Sequence, residues 1–416
     1  MDKTYEELYR EREKRISDSI QLKKPDRVPV APAVGFFPAY YSGITPQEAM
    51  YDYGKTYAAW KKTCLDFQWD MIMPPRYANP GPMFDLLDYK QLKWPGHGVD
   101  PKRSFQFIED EYMKAEEYDR FLEDPSDFMI RAYFPRICGI LEPFKKLPPI
   151  HQTFAYCLGL FGNLGAIAAP EVTGAFESLL KAAHEYSRWA AAMGPFPKEM
   201  AGLGFPGMYG SVAQAPYDTV ADYLRGTRGA MIDMFRCPEK LLAAIDKVTP
   251  WMIQMAVTAG KASGNPRVFI PLHKGPENFM SLEQFKTFYW PGLKKVLTAL
   301  IAEGLTPYLL LEGRWGAGRL EVISDIPPGK AIYHFESVDI HEAKTITGKV
   351  ACIKGNVPTS LLVTGTPKDV KEHCRKLIDV LGEGGGFIMD AGAMIDEAKP
   401  ENMKAMTDFT KEYGVY

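Results

Sequence analysis

The stretch "RVFIPLHKGPENFMSLEQFKTFYWPGLKKVLTALIAEGLTPYLLLE", residues 267–312, contains one complete strand–helix–strand repeat and decides the fold class. "RVFIPLH" (Arg267–His273) and "TPYLLLE" (Thr306–Glu312) have the length and the apolar character of buried strands. The segment between them has helical periodicity and a glycine stop at Gly304. A buried strand, a helix and a second buried strand in this order predict a parallel sheet.

The same rhythm continues to the end of the chain. "KAIYHFE", "VACIKGNVP" and "GFIMDAG" are strand candidates, and each precedes a segment with helical periodicity. Near the start, "DRVPVAPAVGF" and "WDMIMPP" are interpreted as the first two strands, and "PPIHQTF" is a candidate for another. So many repeats with short connections predict a (β/α)8 barrel rather than an open sheet.

We predict one domain that spans the whole chain. No low-complexity linker divides it, so residues 1–416 are expected to form a single elaborated (β/α)8 TIM barrel. Residues 1–25 are predicted to be an N-terminal helical extension. Residues 100–149 are charged and aromatic and are predicted to be an insertion.

Composition excludes several classes of partner. The formal net charge is −3, without basic blocks, which argues against nucleic acid or an anionic membrane as the main partner. No apolar run has the length of a membrane span, and the charged N-terminus does not resemble a signal peptide. The six cysteines are scattered without a Cys-x-x-Cys pair, which favours buried thiols. We therefore expect a cytoplasmic protein.

Polar residues stand at the end of every strand of the second half: His273, Glu312, Glu336, Asn356 and Asp390. Each alone also marks where a strand leaves the core. In a (β/α)8 barrel, however, the active site lies at the carboxyl ends of the strands, so all five are aimed at one funnel.

Two kinds of chemistry suit this set. An imidazole and carboxylates could bind Zn²⁺ through nitrogen and oxygen, with His273, Glu312 and Asp390 as ligands. The same residues and Glu336 could instead form a metal-free acid–base set. Both alternatives remain open at this point.

Further candidates could contact a substrate. Arg76 and Tyr77 follow "WDMIMPP" at a strand end, where the arginine could hold an anionic group or form a surface ion pair. Phe37, Arg314 and Trp315 are candidate walls of the funnel, and Asn356 is a candidate polar contact.

Several motifs resemble the uroporphyrinogen decarboxylase superfamily, which includes the methylcobamide:coenzyme M methyltransferases. They are "KPDRVPV", "WDMIMPP", "APYDTVADYLRGTRGAM", "GKVACIKGNVPTSLLVTGTPKDVKE" and "GAMIDEAKPENMKAM", in the order typical of the superfamily from about Asp26 to Met406. The resemblance implies a (β/α)8 barrel, and the chain is more similar to the methyltransferase side.

The resemblance carries over the chemistry only in part. Where decarboxylases have an arginine-containing segment for propionates, this chain has "PAVGFFPAYYSG", and it has "DAGAMID" where they have a histidine. The zinc-binding His-x-Cys of the methyltransferases falls on Leu310–Glu312, and their second cysteine falls near Ala393. The zinc ligands of the family are thus absent, and Glu312 stands at the first cysteine position.

The resemblance therefore implies a donor-side methyltransferase. We expect an O-demethylase component that moves a methyl group from a methoxylated, aromatic donor to the Co(I) of a partner corrinoid protein. A homodimer is expected from the family. One alternative is a decarboxylase or lyase, in which Arg76 or Arg314 grips a carboxylate and Asp390 protonates the product. Another is a non-catalytic corrinoid- or tetrapyrrole-binding protein.

Overall fold

The computed structural model describes residues 3–154 and 156–416 and shows a (β/α)8 barrel. Six parallel strands lie side by side in the order β4-β5-β6-β7-β8-β9. A separate small sheet, in the order β2-β1-β3, lies on the connection between the second and third strands of the barrel. The strands are β1 (Leu92–Pro95), β2 (Gly98–Val99), β3 (Gln106–Phe107), β4 (Ser211–Val212), β5 (Arg267–Leu272), β6 (Thr306–Trp315), β7 (Ile332–Val338), β8 (Cys352–Lys354) and β9 (Phe387–Ile388).

Two extended segments near the start of the chain close the barrel. Val30 pairs in parallel with Met389, next to β9, and the Asp70 N–H donates to the Val30 carbonyl over 2.8 Å. Ile72 then pairs in parallel with Gly207, just before β4. The two predicted N-terminal strands are thus confirmed as the first two of eight, although each pairs at only a few positions.

Helices surround the barrel. The α-helices of seven or more residues are Tyr5–Ile20, Tyr53–Phe67, Gly81–Leu87, Tyr156–Ile167, Pro170–Met193, Phe196–Gly202, Gly226–Arg236, Pro238–Ser263, Trp290–Ala302, Ala317–Ile323, Ile340–Ile346, Pro367–Leu377 and Pro400–Tyr413. Other short helical segments are Phe37–Tyr41, Pro46–Tyr51, Pro75–Tyr77, Ala115–Glu117, Tyr118–Glu123, Pro125–Phe128, Met129–Tyr133, Phe134–Ile137, Gly139–Lys146, Ile150–Phe154, Pro216–Val220, Ala221–Arg225, Leu282–Gln284, Phe285–Tyr289, Thr347–Lys349, Thr359–Thr364 and Ile378–Gly382. Within the described residues, no helix combines the length and apolar character needed to cross a membrane.

The predicted strand–helix–strand repeat of residues 267–312 is confirmed. In β6 the residues from Pro307 to Leu311 are all buried, because both faces of a barrel strand are covered. The preceding helix, Trp290–Ala302, is followed by Gly304 with φ +77°, a left-handed conformation that glycine adopts at little cost.

The prediction of a strand at "PPIHQTF" is wrong. Residues Ile150–Phe154 form a short helix, and the third barrel strand is β4, more than fifty residues later. Strand β4 has only two paired residues, Ser211 and Val212, and follows a glycine, so it lacks the long apolar run that marks the other strands. Its position depends on pairing with β5, which local pattern does not reveal.

A buried ion pair fastens the N-terminal helix to the barrel. Asp70 is fully buried and accepts hydrogen bonds from Arg15, Arg27 and the Val30 N–H. Burial raises the pKa of Asp70, but the two guanidinium groups outweigh it and hold the pKa below its ordinary value. Asp70 therefore stabilises the fold above the ordinary aspartate pKa, and this contribution is lost as the pH falls through its lowered pKa.

Asp70→Asn is expected to lower the free energy of unfolding by about 3–5 kcal/mol, because it leaves two guanidinium groups without their buried partner. Urea denaturation at neutral pH measures this loss. Asp246→Asn is the matched control, since Asp246 forms an exposed ion pair with Lys295 and should matter by less than ~1 kcal/mol. Equal losses in the two variants would contradict this role of Asp70.

Candidate active site

A cavity of about 1450 Å³ opens at the carboxyl ends of β4 to β7 and continues along β4 toward the amino ends. Four residues at or next to these carboxyl ends line it: Val212, His273, Glu312 and Glu336. Its aromatic wall is formed by Tyr77, Phe105, Phe107, Tyr209, Tyr223, Phe269 and Phe279. The volume exceeds the roughly 300–1,000 Å³ typical of small-molecule sites.

His273 is held at the end of β5 by two aspartates. Its backbone N–H donates to Asp218 over 2.9 Å, and its ring Nδ1 lies 2.5 Å from Asp222 Oδ2. The other ring nitrogen, Nε2, faces the cavity, 3.9 Å from Glu312 Oε1. The imidazole is therefore fixed on one side and available on the other.

Sequence reasoning missed both aspartates. Asp218 lies in the helix Pro216–Val220, which directly follows β4, and Asp222 lies one turn later in the π-helical turn Ala221–Arg225. Their spacing of four residues places them on the same side of the helix. The signal was present in "APYDTVADYLRG", but it has meaning only once β4 is recognised as the strand before it.

Asp218 fixes the backbone rather than the imidazole. It is fully buried and also accepts hydrogen bonds from the Lys274 N–H over 3.1 Å and the Tyr289 hydroxyl over 2.7 Å. Burial and the neighbouring Asp222 raise the pKa of Asp218. Asp218 thus holds the backbone at the end of β5 in place.

The electrostatics favour a protonated His273. Burial alone would lower the pKa of this imidazole, but the hydrogen bond to Asp222 and the negative charges of Asp218, Asp222 and Glu312 raise it to about 9. At neutral pH the ring is therefore an imidazolium with its Nε2–H directed into the cavity.

Glu312 reaches the cavity because β6 is irregular at this point. The register of β6 with β7 shifts between Leu311 and Arg314, and Gly313 has φ +71°. The Gly313 N–H donates to Glu336 Oε2 over 2.5 Å, which ties the two strand ends together. Burial raises the pKa of Glu312, the His273 charge lowers it and Glu336 raises it, with a net increase.

Lys274 is a second buried charge beside His273 that the sequence did not reveal. Its ammonium group binds Glu109 and lies 3.4 Å from Asp222 Oδ1. Glu109 also accepts a hydrogen bond from the Thr227 hydroxyl. These contacts tie the segment between the second and third barrel strands to the end of β5.

Arg76 and Tyr77 lie on the cavity wall, and their contact with a substrate stays a prediction. Tyr77 packs edge-to-face on Phe36 with ring centroids 5.4 Å apart and is tilted against Phe105 at 5.0 Å. Arg76 is exposed and makes no ion pair within the described part of the chain. The guanidinium is therefore available to an anionic group of a ligand.

Asp390 does not join this constellation. Its carboxylate is fully buried inside the barrel, where it binds the Lys354 ammonium group and accepts hydrogen bonds from the N–H groups of Ala33 and Ala391. His334 lies 3.5 Å away and binds the Tyr308 hydroxyl and the Ala391 carbonyl. The predicted catalytic and metal-binding role of Asp390 is corrected: it neutralises a buried lysine.

Phe37 and Trp315 belong to the core instead of the cavity wall. Phe37 is fully buried and stacks on Tyr41 at 5.8 Å. Trp315 is also buried, and its indole N–H donates to the Glu312 carbonyl over 2.9 Å. Trp315 therefore fixes the backbone that carries Glu312, which is a different role from the predicted one.

Arg314 and Asn356 are also outside the described cavity wall. Arg314 is exposed, because the shift of register in β6 turns it away while Glu312 turns inward. Asn356 is half-buried, two residues after the end of β8. Neither residue takes the substrate-binding position predicted for it.

The predicted zinc ligands are not brought together. No group of three His, Cys, Asp or Glu side chains in residues 3–154 and 156–416 has the arrangement of a metal site. His273 and Glu312 are neighbours, but Asp390 is already bound to Lys354. The residues present therefore do not fit zinc in the predicted form.

Lys354→Met is expected to lower the free energy of unfolding by about 3–5 kcal/mol, because it leaves the Asp390 carboxylate without a cationic partner in the barrel interior. The double variant Lys354→Met/Asp390→Asn removes both charges and keeps an oxygen acceptor, so it should recover more than half of the loss. Urea denaturation of the single and double variants measures both effects. A double variant less stable than the single one would contradict the neutralising role of Asp390.

Comparison with known proteins agrees with this architecture. The uroporphyrinogen decarboxylase (URO-D) family model matches residues 209–413, from the third barrel strand onward. Uroporphyrinogen decarboxylases from Chlorobium phaeovibrioides and Chlorobium luteolum are each 30% identical over 79 residues. That alignment covers 18% of this chain and 22% of each relative, so it spans about a fifth of their length.

A solved structure shares the whole fold. A methyltransferase from Methanosarcina mazei superposes with a TM-score of 0.62 over 97% of this chain and 98% of that chain, at 15% sequence identity. At this identity the similarity establishes the barrel fold. Together with the URO-D match to residues 209–413, the comparisons support a relation of this chain to the superfamily of uroporphyrinogen decarboxylases and related methyltransferases.

Proposed function

We propose that the protein is a corrinoid-dependent methyltransferase of the O-demethylase type. It would move a methyl group from a methoxylated, aromatic donor to the Co(I) of a partner corrinoid protein. The observation that carries the proposal is the placement of His273, whose ring Nδ1 lies 2.5 Å from Asp222 and whose side chain lines an aromatic-walled cavity. The fold shared with the Methanosarcina mazei methyltransferase supports the class of reaction.

Ether cleavage needs an acid of this kind. When a methyl group leaves an ether, the electron pair of the C–O bond remains on oxygen, and an alkoxide or phenoxide is a poor leaving group. A proton donated to that oxygen as the bond breaks lowers the barrier, and such general acid catalysis contributes typically ~10²–10⁴-fold. The Nε2–H of His273 is the protein group in the position to donate it.

The corrinoid of the partner protein supplies the nucleophile that accepts the methyl group. On the protein side, His273 gives up its Nε2 proton and becomes neutral, while the product keeps a hydroxyl group. Asp222 keeps the ring oriented through Nδ1. Glu312, 3.9 Å from Nε2, is the neighbouring acid that can return a proton from solvent to the imidazole.

The wall of the cavity favours an aromatic donor. Tyr77, Phe105 and Phe279 offer flat apolar surfaces for a ring. The cavity is larger than one methoxylated ring requires, so space remains for a corrinoid to approach the methyl group. Arg76 suits a donor whose ring also carries a carboxylate.

The charge distribution disfavours a decarboxylase of a polycarboxylic substrate. Such a substrate needs several free cations. Two lining cations are already paired: Lys274 with Glu109, and Arg267 with Glu13. Arg76 and Lys198 line the cavity without an ion pair among the described residues, and so few free cations suit binding of a donor better than recognition of a tetracarboxylic ring.

Asp222→Asn is expected to move the alkaline limb of the pH–rate profile from near 9 toward the ordinary histidine pKa of 6.5, because it removes the charge that stabilises the imidazolium. The assay follows methyl transfer from methoxybenzoates to cob(I)alamin across pH 6–10, a range chosen to bracket both values. Glu283→Gln, an exposed carboxylate on an outer helix, is the control and should leave the profile unchanged.

A second comparison separates acid catalysis from simple structural damage. His273→Gln should lose about 10²–10⁴-fold in kcat, with the larger losses for donors whose leaving oxygen is more basic. A uniform loss for all donors would contradict the role of His273 as the acid. Release of carbon dioxide without any corrinoid, and no methyl transfer, would contradict the proposed function itself.

A further inference from the structure

The cavity of the candidate active site has a second branch. Besides the residues at the carboxyl ends of the strands, its wall includes residues near the amino end of β4 and residues of two outer helices, Phe196–Gly202 and Pro238–Ser263. We call the part of the cavity that these residues line the lower branch. Its wall includes Lys198, Ala201, Gly207, Gly210, Ser263 and Asn265.

The lower branch exists because the barrel wall is open beside β4. The second barrel strand meets the β4 segment only around Ile72, which exchanges backbone hydrogen bonds with Pro206 and Met208 over 2.9 and 2.7 Å. Farther toward the carboxyl ends, no backbone hydrogen bond in the described part of the chain joins residues 73–75 to residues 209–212. Two of the three residues on the first side are prolines, which lack the N–H that such a bond needs.

The surface of the lower branch suits the passage of a flat apolar ring. Glycine and alanine line much of it, so few side chains project into the space. Toward the carboxyl ends its wall continues with Tyr209, which stacks on Phe269 with ring centroids 5.3 Å apart. Val212 also borders the space and is 46% exposed, although it belongs to a barrel strand. An aromatic ring finds flat and apolar contacts along this path.

Free positive charge stands at both parts of the cavity. Lys198 is exposed beside the lower branch, and Arg76 follows the second barrel strand at the carboxyl ends. Neither forms an ion pair within the described residues, whereas Arg267 in the lower branch is bound to Glu13 at 2.6 Å. An anionic donor that enters by the lower branch therefore meets a free cation at its start and another near its end.

A second opening answers a need of the proposed function, on which this inference rests. The corrinoid that accepts the methyl group has to approach it beside His273 and Glu312, at the carboxyl-end mouth of the cavity. A corrinoid is a broad macrocycle, so it covers that mouth while it is bound. Donor and product can then exchange only through another opening, and such exchange steps limit the turnover of many enzymes.

We propose that the lower branch is a second entrance to the active site. The methoxylated aromatic donor enters through it, and the demethylated product leaves through it, while the corrinoid covers the carboxyl-end mouth. The corrinoid partner therefore stays in place between successive donors.

Stopped-flow tryptophan fluorescence tests the proposal by following the binding of a methoxybenzoate with and without saturating hydroxocobalamin, a corrinoid whose Co(III) is not a nucleophile. The wild type should bind the donor at similar rates in both conditions. Ala201→Trp places an indole in the lower branch and should slow association at least ~10-fold, but only when hydroxocobalamin is bound. Ala262→Trp is the matched control, since Ala262 is exposed on the neighbouring helix Pro238–Ser263 outside the cavity wall.

Lys198→Glu gives a second measurement that leaves the packing intact, because Lys198 is exposed. With hydroxocobalamin bound, this variant should slow the entry of a methoxybenzoate and leave the entry of the neutral 2-methoxyphenol unchanged. Lys371→Glu is the charge-matched control, since Lys371 is exposed on the helix Pro367–Leu377 and does not line this cavity.

Three results would overturn the second entrance and leave the proposed methyl transfer intact. They are donor entry that stops in the wild type when hydroxocobalamin binds, entry at the wild-type rate in Ala201→Trp with the corrinoid bound, and equal slowing in that variant with and without the corrinoid. A wild type that neither binds hydroxocobalamin nor transfers methyl groups to cob(I)alamin would overturn the proposed function, and the second entrance with it.

Discussion

The contact between His273 and Asp222 is the interaction on which the rest of the site depends. An imidazole that is half-buried would normally lose its proton, because a low-dielectric environment disfavours the charged form. Here the carboxylate of Asp222 lies 2.5 Å from Nδ1 and reverses that tendency. Asp218 fixes the backbone of the same residue, so the ring keeps both its charge and its direction.

This arrangement requires two separate barrel units to meet. His273 follows β5, whereas Asp218 and Asp222 belong to the helix after β4. Parallel pairing of β4 with β5 brings the end of one strand beside the start of that helix. Glu312 completes the site from β6, where the irregular register and the Trp315 hydrogen bond turn its side chain inward. The arrangement of His273, Asp222 and Glu312 is therefore a consequence of barrel register.

Local pattern predicted the parts of the fold that have long apolar strands. The repeat from Arg267 to Glu312 was evident, and so was the placement of His273, Glu312 and Glu336 at one end of the barrel. The third strand was missed because β4 is only two residues long. Without that strand, the sequence did not show that Asp222 follows a strand end of the barrel. A short strand is defined by its neighbours, which a single sequence does not show.

Position at a strand end was not enough to identify a site residue. Asp390 lies just after β9 and Glu312 lies near the end of β6, yet Lys354 on the neighbouring strand neutralises Asp390 inside the barrel. The lysine was visible in "ACIKGN", but pairing of the two side chains depends on the register of β8 with β9. Arg314 and Trp315 show the same limit, because one irregularity in β6 reversed the directions expected for them.

The proposed chemistry requires that the imidazole of His273 is charged at neutral pH. A ¹⁵N NMR titration of protein labelled at its seven histidines measures this directly, with the His273→Asn variant to assign the signal. We expect a titration midpoint near 9 for His273. A midpoint at or below the ordinary histidine value of about 6.5 would contradict it.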